Sequence, residues 1–276
     1  MLTDYHVHLR PDDPGTDAAT YFTPGNAERY RETAAERGVQ ELGVSEHIHR
    51  FTAALDVWQH PFWRQSATDD LDRYVEFVRE ETDLKLGIEA DFVPGREDRM
   101  AELLEARDWD YVVGSVHFLG QTAVDYDRYD VWTTGESPDR VWRKYFEWLG
   151  EAAMSGLFDI LAHPDLVKYW GPTQRPWPEG DPRRFYAIAM EAIAESGIAV
   201  ELSTAGLRKP VGELYPARAF LEMVVDAGNP IALSSDAHTP EDLGRDYDQA
   251  LALLAELGVG ELAVFERRGR RLEPIG

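Results

Sequence analysis

Residues 2–8 read LTDYHVH, a short apolar run that carries two histidines at its end. Side chains two apart in a β-strand point to the same face, so His6 and His8 are expected side by side at a strand end. Six further strand-like runs lie at 40–46, 84–91, 110–117, 157–163, 198–203 and 230–236. Each of the seven precedes an amphipathic stretch that predicts a helix. These stretches lie at 24–38, 69–82, 97–107, 137–155, 181–196, 214–228 and 240–257.

Seven strand-then-helix units in succession indicate a parallel sheet, and so many units favour closure into a barrel. We therefore expect an α/β protein with a (β/α)7 TIM-like barrel, with an open doubly wound sheet as the alternative. A final apolar run at 260–265 is expected to be either an eighth strand or a covering segment. Segments 119–136 and 165–181 read as long loops, which in such barrels commonly cover the active site. No linker rich in Gly or Pro suggests a boundary, so residues 1–276 are expected to form one domain.

The composition excludes several classes of function. A net charge of -23, from 28 basic and 51 acidic residues, repels nucleic-acid phosphates and anionic lipids, so neither a nucleic-acid polymer nor a membrane is expected as a partner. The absence of cysteine excludes disulfides, thiolate metal sites and cysteine nucleophiles. No apolar stretch approaches the roughly 20 residues that a membrane span needs, and no leader-like segment is visible, so we expect a cytoplasmic protein.

Titratable residues accumulate where the predicted strands end. In a parallel barrel the C-terminal strand ends surround one mouth, which is where active sites of such barrels lie. So many ionisable groups together would be costly without metal ions to compensate them, and imidazole and carboxylate ligands suit zinc, iron or manganese. The residues expected at this mouth are His6, His8, Glu46, His47, Glu89, Asp91, His117, His163, Glu201, Asp236 and His238.

Two histidines stand apart from this set. His60 reads as a loop residue, whereas His49 follows His47 at the spacing of a ligand pair and is a candidate ligand or substrate contact. An anionic substrate such as a phosphate also needs cationic and hydroxyl donors. We expect these donors just after the sixth strand and just after the first, at Ser203, Arg208, Lys209 and Arg10.

Together these residues resemble the polymerase-and-histidinol-phosphatase (PHP) family of metal-dependent phosphoesterases. The matching motifs run in family order and cover nearly the whole chain, and GSVHF with LAHPD look most like the stand-alone histidinol-phosphate phosphatases. The motifs are DYHVH at 4–8, VSEH at 44–47, GIEAD at 87–91, GSVHF at 114–118, LAHPD at 161–165, ELSTAGLRK at 201–209 and SSDAH at 234–238.

The resemblance implies a distorted (β/α)7 barrel that holds two to three divalent ions of zinc, manganese or iron. A first metal would be bound by four residues, His6, His8, Glu89 and Asp236. Glu89 would bridge to a second metal held by His117 and His163, and a third metal would take His47 and His238. Many relatives place one more histidine shortly after the first pair, but here the stretch LRPDDPGTD has none. Asp12, Asp13, Asp17, the substrate phosphate or water is expected to fill that position.

The resemblance also implies a reaction. It is the hydrolysis of L-histidinol phosphate to L-histidinol and phosphate in histidine biosynthesis, by attack of a hydroxide that bridges two metals on Glu89. Arg208 and Arg10 would neutralise the phosphate, and Asp236 or His238 would supply the proton for the leaving alkoxide. The cationic substrate would also need carboxylates and aromatic walls, for which the candidates are Glu46, Asp91, Glu201, Phe118 and the loop of Trp170.

Three alternatives stay open. A PHP-type enzyme could act on another small phosphate ester or a nucleotide, because the negative charge of the chain weighs only against long polymers. An amidohydrolase-type barrel also begins with a His-x-His strand, but it usually bridges its metals with a modified lysine, and no lysine of this chain ends a strand. The third alternative is a non-catalytic metal-binding protein.

Overall fold

The computed structural model describes residues 1–13 and 15–276. Seven parallel strands form one sheet in the order β1-β2-β3-β4-β7-β8-β9. The two edges of this sheet meet, because Val7 pairs with Ala237 in a parallel bridge and His8 N donates to Ala237 O over 2.8 Å. The predicted seven-stranded barrel is therefore confirmed, and the open sheet is wrong. The strands of the chain are β1 Thr3–Asp4, β2 Glu41–His47, β3 Lys85–Asp91, β4 Tyr111–Ser115, β5 Phe118–Leu119, β6 Thr122–Ala123, β7 Ile160–Leu161, β8 Ala199–Ser203, β9 Ile231–Ser234, β10 Glu261–Glu266 and β11 Gly269–Pro274.

The interior of the barrel is filled by aromatic side chains flanked by small residues. Tyr111 of β4 lies fully buried, and its hydroxyl donates to Val44 O over 3.0 Å. Gly43 and Gly87 make room for its ring, since a Cβ at either position would overlap the ring atoms. Tyr5 stacks beside it with a centroid separation of 4.9 Å. Glycine in the neighbouring strands β2 and β3 thus leaves room for the large Tyr111 side chain inside the barrel.

The final apolar run forms a covering hairpin rather than an eighth barrel strand. β10 and β11 pair with each other in antiparallel register, and Phe265 is buried beneath Tyr5 and Tyr111. The turn of the hairpin is anchored where Arg268 N donates to Asp110 O over 2.8 Å and its guanidinium pairs with Asp159. Asp110 and Asp159 precede β4 and β7, so the hairpin caps the N-terminal end of the barrel and leaves the other end open.

The predicted helices surround the sheet, with ends that differ by a few residues. The largest difference is in the last one: residues 240–242 form a 3-10 turn, and Gly244 and Asp246 take positive φ before the helix begins at Tyr247. None of the described helices is both long and apolar enough to cross a membrane. The helices are α1 Ala18–Tyr21, α2 Pro24–Glu36, α3 Pro61–Ser66, α4 Leu71–Glu81, α5 Glu97–Glu105, α6 Pro138–Met154, α7 Gly171–Gln174, α8 Arg183–Ser196, α9 Arg218–Asp226 and α10 Tyr247–Glu256.

Candidate metal centre and active site

A cavity of about 730 Å³ opens at the C-terminal ends of the strands. The strand ends contribute most of the histidines and one carboxylate of the candidate centre to its walls. The two predicted cover loops contribute as well, with Asp125 and Tyr126 from one and Leu166 and Tyr169 from the other. The mouth expected from the sequence is therefore a real cavity. The strand-end residues that line it are His47, His117, His163, Asp236 and His238.

Glu89 lies next to this cavity, behind the histidines that line it, between two pairs of imidazoles. Its Oε2 lies 3.4 Å from His6 Nε2 and 3.6 Å from His8 Nε2. Its Oε1 lies 3.4 Å from His117 Nε2 and 3.3 Å from His163 Nε2. The side chain is fully buried. Oε2 also pairs with His47 Nδ1. Each oxygen of one carboxylate therefore faces its own pair of histidines, and Oε2 meets a third ring as well, which suits a bridging ligand.

Asp236 completes the first of these two groups. Its Oδ1 lies 3.7 Å from His6 Nε2 and 3.4 Å from His8 Nε2. Atoms that share a zinc-sized ion at about 2.1 Å are about 3.0–3.5 Å apart, so the observed spacings suit a common cation. Positive φ values at Asp236 and at His163, 50° and 23°, place both side chains at this centre in backbone conformations that are uncommon away from glycine.

Unpartnered buried atoms provide a direct test of whether a cation fits here. Within the described residues His6 Nε2, His8 Nε2 and His163 Nδ1 are buried without a hydrogen-bond partner, whereas Glu89 Oε2 pairs with His47 Nδ1. Leaving such atoms unpaired is costly, and unpaired buried groups in native proteins are rare. A divalent ion between these imidazole nitrogens and the Glu89 oxygen would satisfy the first two atoms. The donor set therefore fits metal binding.

Two further carboxylates orient the imidazoles. His6 Nδ1 lies 2.7 Å from Glu201 Oε1, and His117 Nδ1 lies 2.7 Å from Asp91 Oδ1. A proton held on Nδ1 leaves the Nε2 lone pair free to face the centre. The expectation that Glu201 and Asp91 contact the substrate is therefore wrong, because both are engaged with histidines.

Glu46 is also wrong as a substrate carboxylate. Its Oε1 accepts from Leu9 N over 2.6 Å and from Arg10 N over 3.2 Å, while its Oε2 pairs with Arg50. The side chain is completely buried. Glu46 therefore fixes the backbone that follows the first strand, and it presents no free oxygen to the cavity.

A third group of donors lies at the outer side of the centre. His47 Nε2 and His238 Nε2 are 3.4 Å apart, and the His8 ring stacks on both, with centroid separations of 4.1 and 4.2 Å. Asp12 joins them, with Oδ2 at 3.0 Å from His238 Nε2 and Oδ1 at 3.7 Å from His47 Nε2. Asp17 instead caps α1 by accepting from Thr20 N over 2.9 Å. Of the three aspartates considered from the sequence, Asp12 is the one that meets the two histidines.

The electrostatics of the centre match an array of imidazolium–carboxylate pairs. Burial by itself would raise the pKa of Glu89, but His47, His6 and His117 hold that pKa well below its usual range. Burial lowers the pKa of His47, but Glu89 and Asp12 together raise it to about 9. For His117 burial acts the same way, and Asp91 and Glu89 raise the pKa to about 10. In the metal-free chain, protons thus balance carboxylate charge that metal ions would otherwise balance.

The candidates for phosphate binding separate into two groups. Lys209 lines the cavity, with its Nζ 5.7 Å from the centre of the Tyr169 ring, and Arg10 lines it while bonded to Asp69 and Thr16. Ser203 and Arg208 are not among the described residues that form the cavity wall.

Both of these last two side chains are engaged elsewhere. Arg208 donates to Ser235 O over 2.6 Å and faces Asp242, and Ser203 Oγ accepts from Ala205 N over 3.3 Å. The structure thus places Ser203 and Arg208 outside the described cavity wall, and a contact of either with a phosphate stays a prediction.

The two histidines set apart by sequence also differ in the structure. His60 Nδ1 accepts from Phe62 N over 3.2 Å and caps α3, which is a structural role. His49 lines the cavity and stacks on His47 with centroids 4.8 Å apart. Burial, followed by the neighbouring His47 and Arg50, lowers the pKa of His49 well below its usual value, so its ring stays neutral.

Sequence reasoning missed Asp125, which projects from the loop after β6. It lines the cavity, and among the described residues its only hydrogen-bond partner is its own backbone N–H. The aromatic residues of the wall include Phe118 and, from the loop of Trp170, Tyr169. No motif marks Asp125, and only its position within a cover loop pointed towards it.

A closed parallel barrel with histidines and carboxylates at its C-terminal mouth defines a metal-dependent hydrolase of the α/β-barrel class. The family model of the PHP domain matches residues 21–205. The chain belongs to the PHP domain family.

Proteins similar along their whole length agree with this membership. The probable histidinol-phosphatase of Deinococcus radiodurans is 33% identical over 281 residues, which include 99% of this chain and 99% of the relative. The histidinol-phosphatase of Bacillus subtilis is 23% identical over 90% of this chain and 97% of that protein. The crystal structure of histidinol phosphate phosphatase from Lactococcus lactis, complexed with zinc, L-histidinol and phosphate, gives a TM-score of 0.67 at 18% identity and covers 98% of each chain. That structural likeness supports the fold.

Proposed function

We propose that this chain is a metal-dependent phosphomonoesterase that hydrolyses L-histidinol phosphate to L-histidinol and phosphate, a step of histidine biosynthesis. The observation that carries the proposal is Glu89, whose two oxygens each face a separate pair of imidazoles next to the cavity. The substrate is taken from the similar proteins, which are named for this activity. The fold neighbour from Lactococcus lactis holds both products of this hydrolysis together with zinc.

The donor groups assign residues to each cation. Four residues would hold the first ion, Glu89 would extend to a second, and the outer pair of histidines would hold a third. When bound, these ions would activate water and neutralise the oxygens of a phosphate group. The first ion takes His6, His8, Glu89 and Asp236, the second Glu89, His117 and His163, and the third His47 and His238.

The residues of the rim would hold and orient the reacting ester. Lys209 has no ion-pair partner among the described residues, so its ammonium group is free to bind a phosphate oxygen. Departure of the alkoxide needs a proton, and Asp236 and His238 are adjacent titratable groups that face the cavity. We propose that this pair passes to the leaving alkoxide the proton that the attacking water gives up.

Part of the cavity wall suits the cationic half of histidinol phosphate. That half carries an ammonium group and an imidazole, and binding it requires a carboxylate and flat apolar walls. Asp125 offers a carboxylate that no other described side chain occupies, and Phe118 and Tyr169 lie in the same wall. We assign recognition of the ammonium group to Asp125.

The proposed function is tested by measuring phosphate release from a panel of phosphomonoesters after manganese, zinc or iron has been restored. We expect histidinol phosphate to give the highest kcat/KM. A preference for another ester would reject the substrate, whereas no hydrolysis of any ester by a metal-loaded chain would reject the phosphatase itself.

A further inference from the structure

We propose that Asp12 is a metal ligand, which with His47 and His238 completes the outermost cation site of the barrel mouth, and that Arg50 positions its carboxylate. The inference deepens the proposed function and rests on its metal dependence. It assigns the role to one aspartate of a loop that carries three, Asp12, Asp13 and Asp17.

The geometry of the three donors is that of ligands around one ion. His238 Nε2 lies 3.0 Å from Asp12 Oδ2, the two Nε2 atoms are 3.4 Å apart, and His47 Nε2 lies 3.7 Å from the other Asp12 oxygen, Oδ1. Ligands about 2.1 Å from a common ion are about 3.0–3.5 Å apart, so one cation could contact all three with small movements. Two imidazoles and one carboxylate suit a divalent zinc, iron or manganese ion.

Arg50 explains why an aspartate in a loop is held at this place. The Arg50 side chain is 4% exposed, and it pairs with the completely buried Glu46. Its NH1 also donates to Arg10 O over 2.7 Å, and its NH2 donates to Asp12 Oδ1 over 2.5 Å. The guanidinium thus ties the loop backbone, the buried carboxylate of β2 and Asp12 into one network.

The different contacts of the two Asp12 oxygens support a ligand role. Oδ1 accepts from Arg50, and Oδ2 lies closest to His238. An oriented carboxylate with one oxygen hydrogen-bonded and the other directed at the donor atoms is typical of metal ligands. The Asp12 side chain is 59% exposed, and an ion pair so exposed contributes little to stability. Binding a cation together with two histidines would explain this arrangement, which a contribution to stability does not.

A site of three protein ligands also leaves coordination positions open. Catalytic sites of this kind keep such positions for water or substrate. The cavity lies directly against Asp12, His47 and His238, all of which line it. The open positions of the outer ion would therefore face the space in which a phosphate group would bind.

The test counts and titrates metal in the full chain. Metal-free protein would be loaded with Mn(II) or Zn(II), freed of excess, and its metal content per chain measured by elemental analysis, with affinities from chelator competition. We expect Asp12→Asn to bind one ion fewer per chain and Asp12→His to regain it. Asp13→Asn, a neighbouring carboxylate that also lines the cavity, is the matched control and should bind as the unaltered chain does.

An unchanged metal count and affinity in Asp12→Asn would overturn the proposal, as would an equal loss in Asp13→Asn. Arg50→Lys provides a second variant, which keeps every ligand. It should lower the affinity for the most weakly held ion by about 10–100-fold while the other ions stay bound. If Asp12→Asn fails to fold, unchanged affinities in Arg50→Lys overturn the proposal. A chain that binds metal as expected but releases no phosphate would reject the proposed function and leave this assignment standing.

Discussion

Glu201 accepts a hydrogen bond from His6 Nδ1 over 2.7 Å and thereby leaves His6 Nε2 free to face the Glu89 oxygen 3.4 Å away. The same carboxylate accepts from Ser234 Oγ over 2.6 Å and from the backbone N–H of His163, so it is held rigidly. A negative partner on Nδ1 also makes Nε2 a stronger ligand. The strength of the first metal site therefore depends on a residue that does not itself touch the metal.

We expect Glu201→Gln to lower the affinity for the most affected metal ion by about 10–100-fold. The neutral amide no longer supports His6, and its own N–H donors oppose the His163 N–H. Chelator competition on the loaded protein measures this loss. Activity should return at high metal concentration, since Glu201 positions a ligand and is not one. Inactivity at saturating metal with full occupancy would contradict the positioning role.

Removal of Glu89 should have a larger effect. In Glu89→Gln the two imidazole pairs lose the carboxylate charge that they share, so we expect two ions to be lost or loosened together and phosphate release to fall by more than about a hundredfold. Elemental analysis and phosphate release under the same conditions check both parts. Glu105→Gln, on the exposed side of α5, is the control for the charge change. Loss of one ion alone would refute the bridging role.

The parts of the site that could be predicted from sequence are those fixed by strand periodicity. His6 and His8 flank the bridged Val7 in the extended segment after β1, and the register of β2 and β3 places His47 opposite Glu89. A strand that ends at a known residue directs its alternate side chains to a known face, so these positions follow from the pattern.

The remaining parts depend on contacts between residues distant in sequence. Asp12 rather than Asp13 faces the histidines because Arg50, 38 residues further on, donates a hydrogen bond to the Asp12 carboxylate. Asp125 reaches the cavity from a loop whose path follows no periodic pattern. The hydrogen bond from Arg208 to Ser235 O is likewise a contact that the pattern of the sequence does not indicate.

Metal affinity should depend steeply on pH. Burial lowers the pKa of His47 and His117, but neighbouring carboxylates raise these pKa values to about 9 and about 10. Binding a metal through these rings expels their protons, so apparent affinity should rise with pH by about tenfold per unit for each proton expelled, and flatten above about pH 10.

The stability of the metal-free fold should change with pH in the opposite direction. A histidine whose pKa is raised on folding stabilises the protein fully below its unfolded pKa of about 6.5, and that stabilisation is lost as pH rises through about 9 to 10. Calorimetric titration with metal in two buffers of different protonation enthalpy counts the protons released. An affinity that does not change between slightly acid and slightly alkaline pH would contradict the assignment of His47 and His117 as ligands.

Substrate selectivity should depend on Asp125. An ion pair between its carboxylate and the substrate ammonium group is worth about 1.5–3 kcal/mol, so Asp125→Asn should lower kcat/KM for histidinol phosphate by about 10–100-fold, mainly through KM. p-Nitrophenyl phosphate lacks the ammonium group, and its hydrolysis by the same variant should change little. Asp127→Asn removes a nearby carboxylate that pairs with Arg175 instead, and it should leave both substrates unaffected. An equal loss on both substrates in Asp125→Asn would place Asp125 in the hydrolytic centre rather than in recognition of the cationic group.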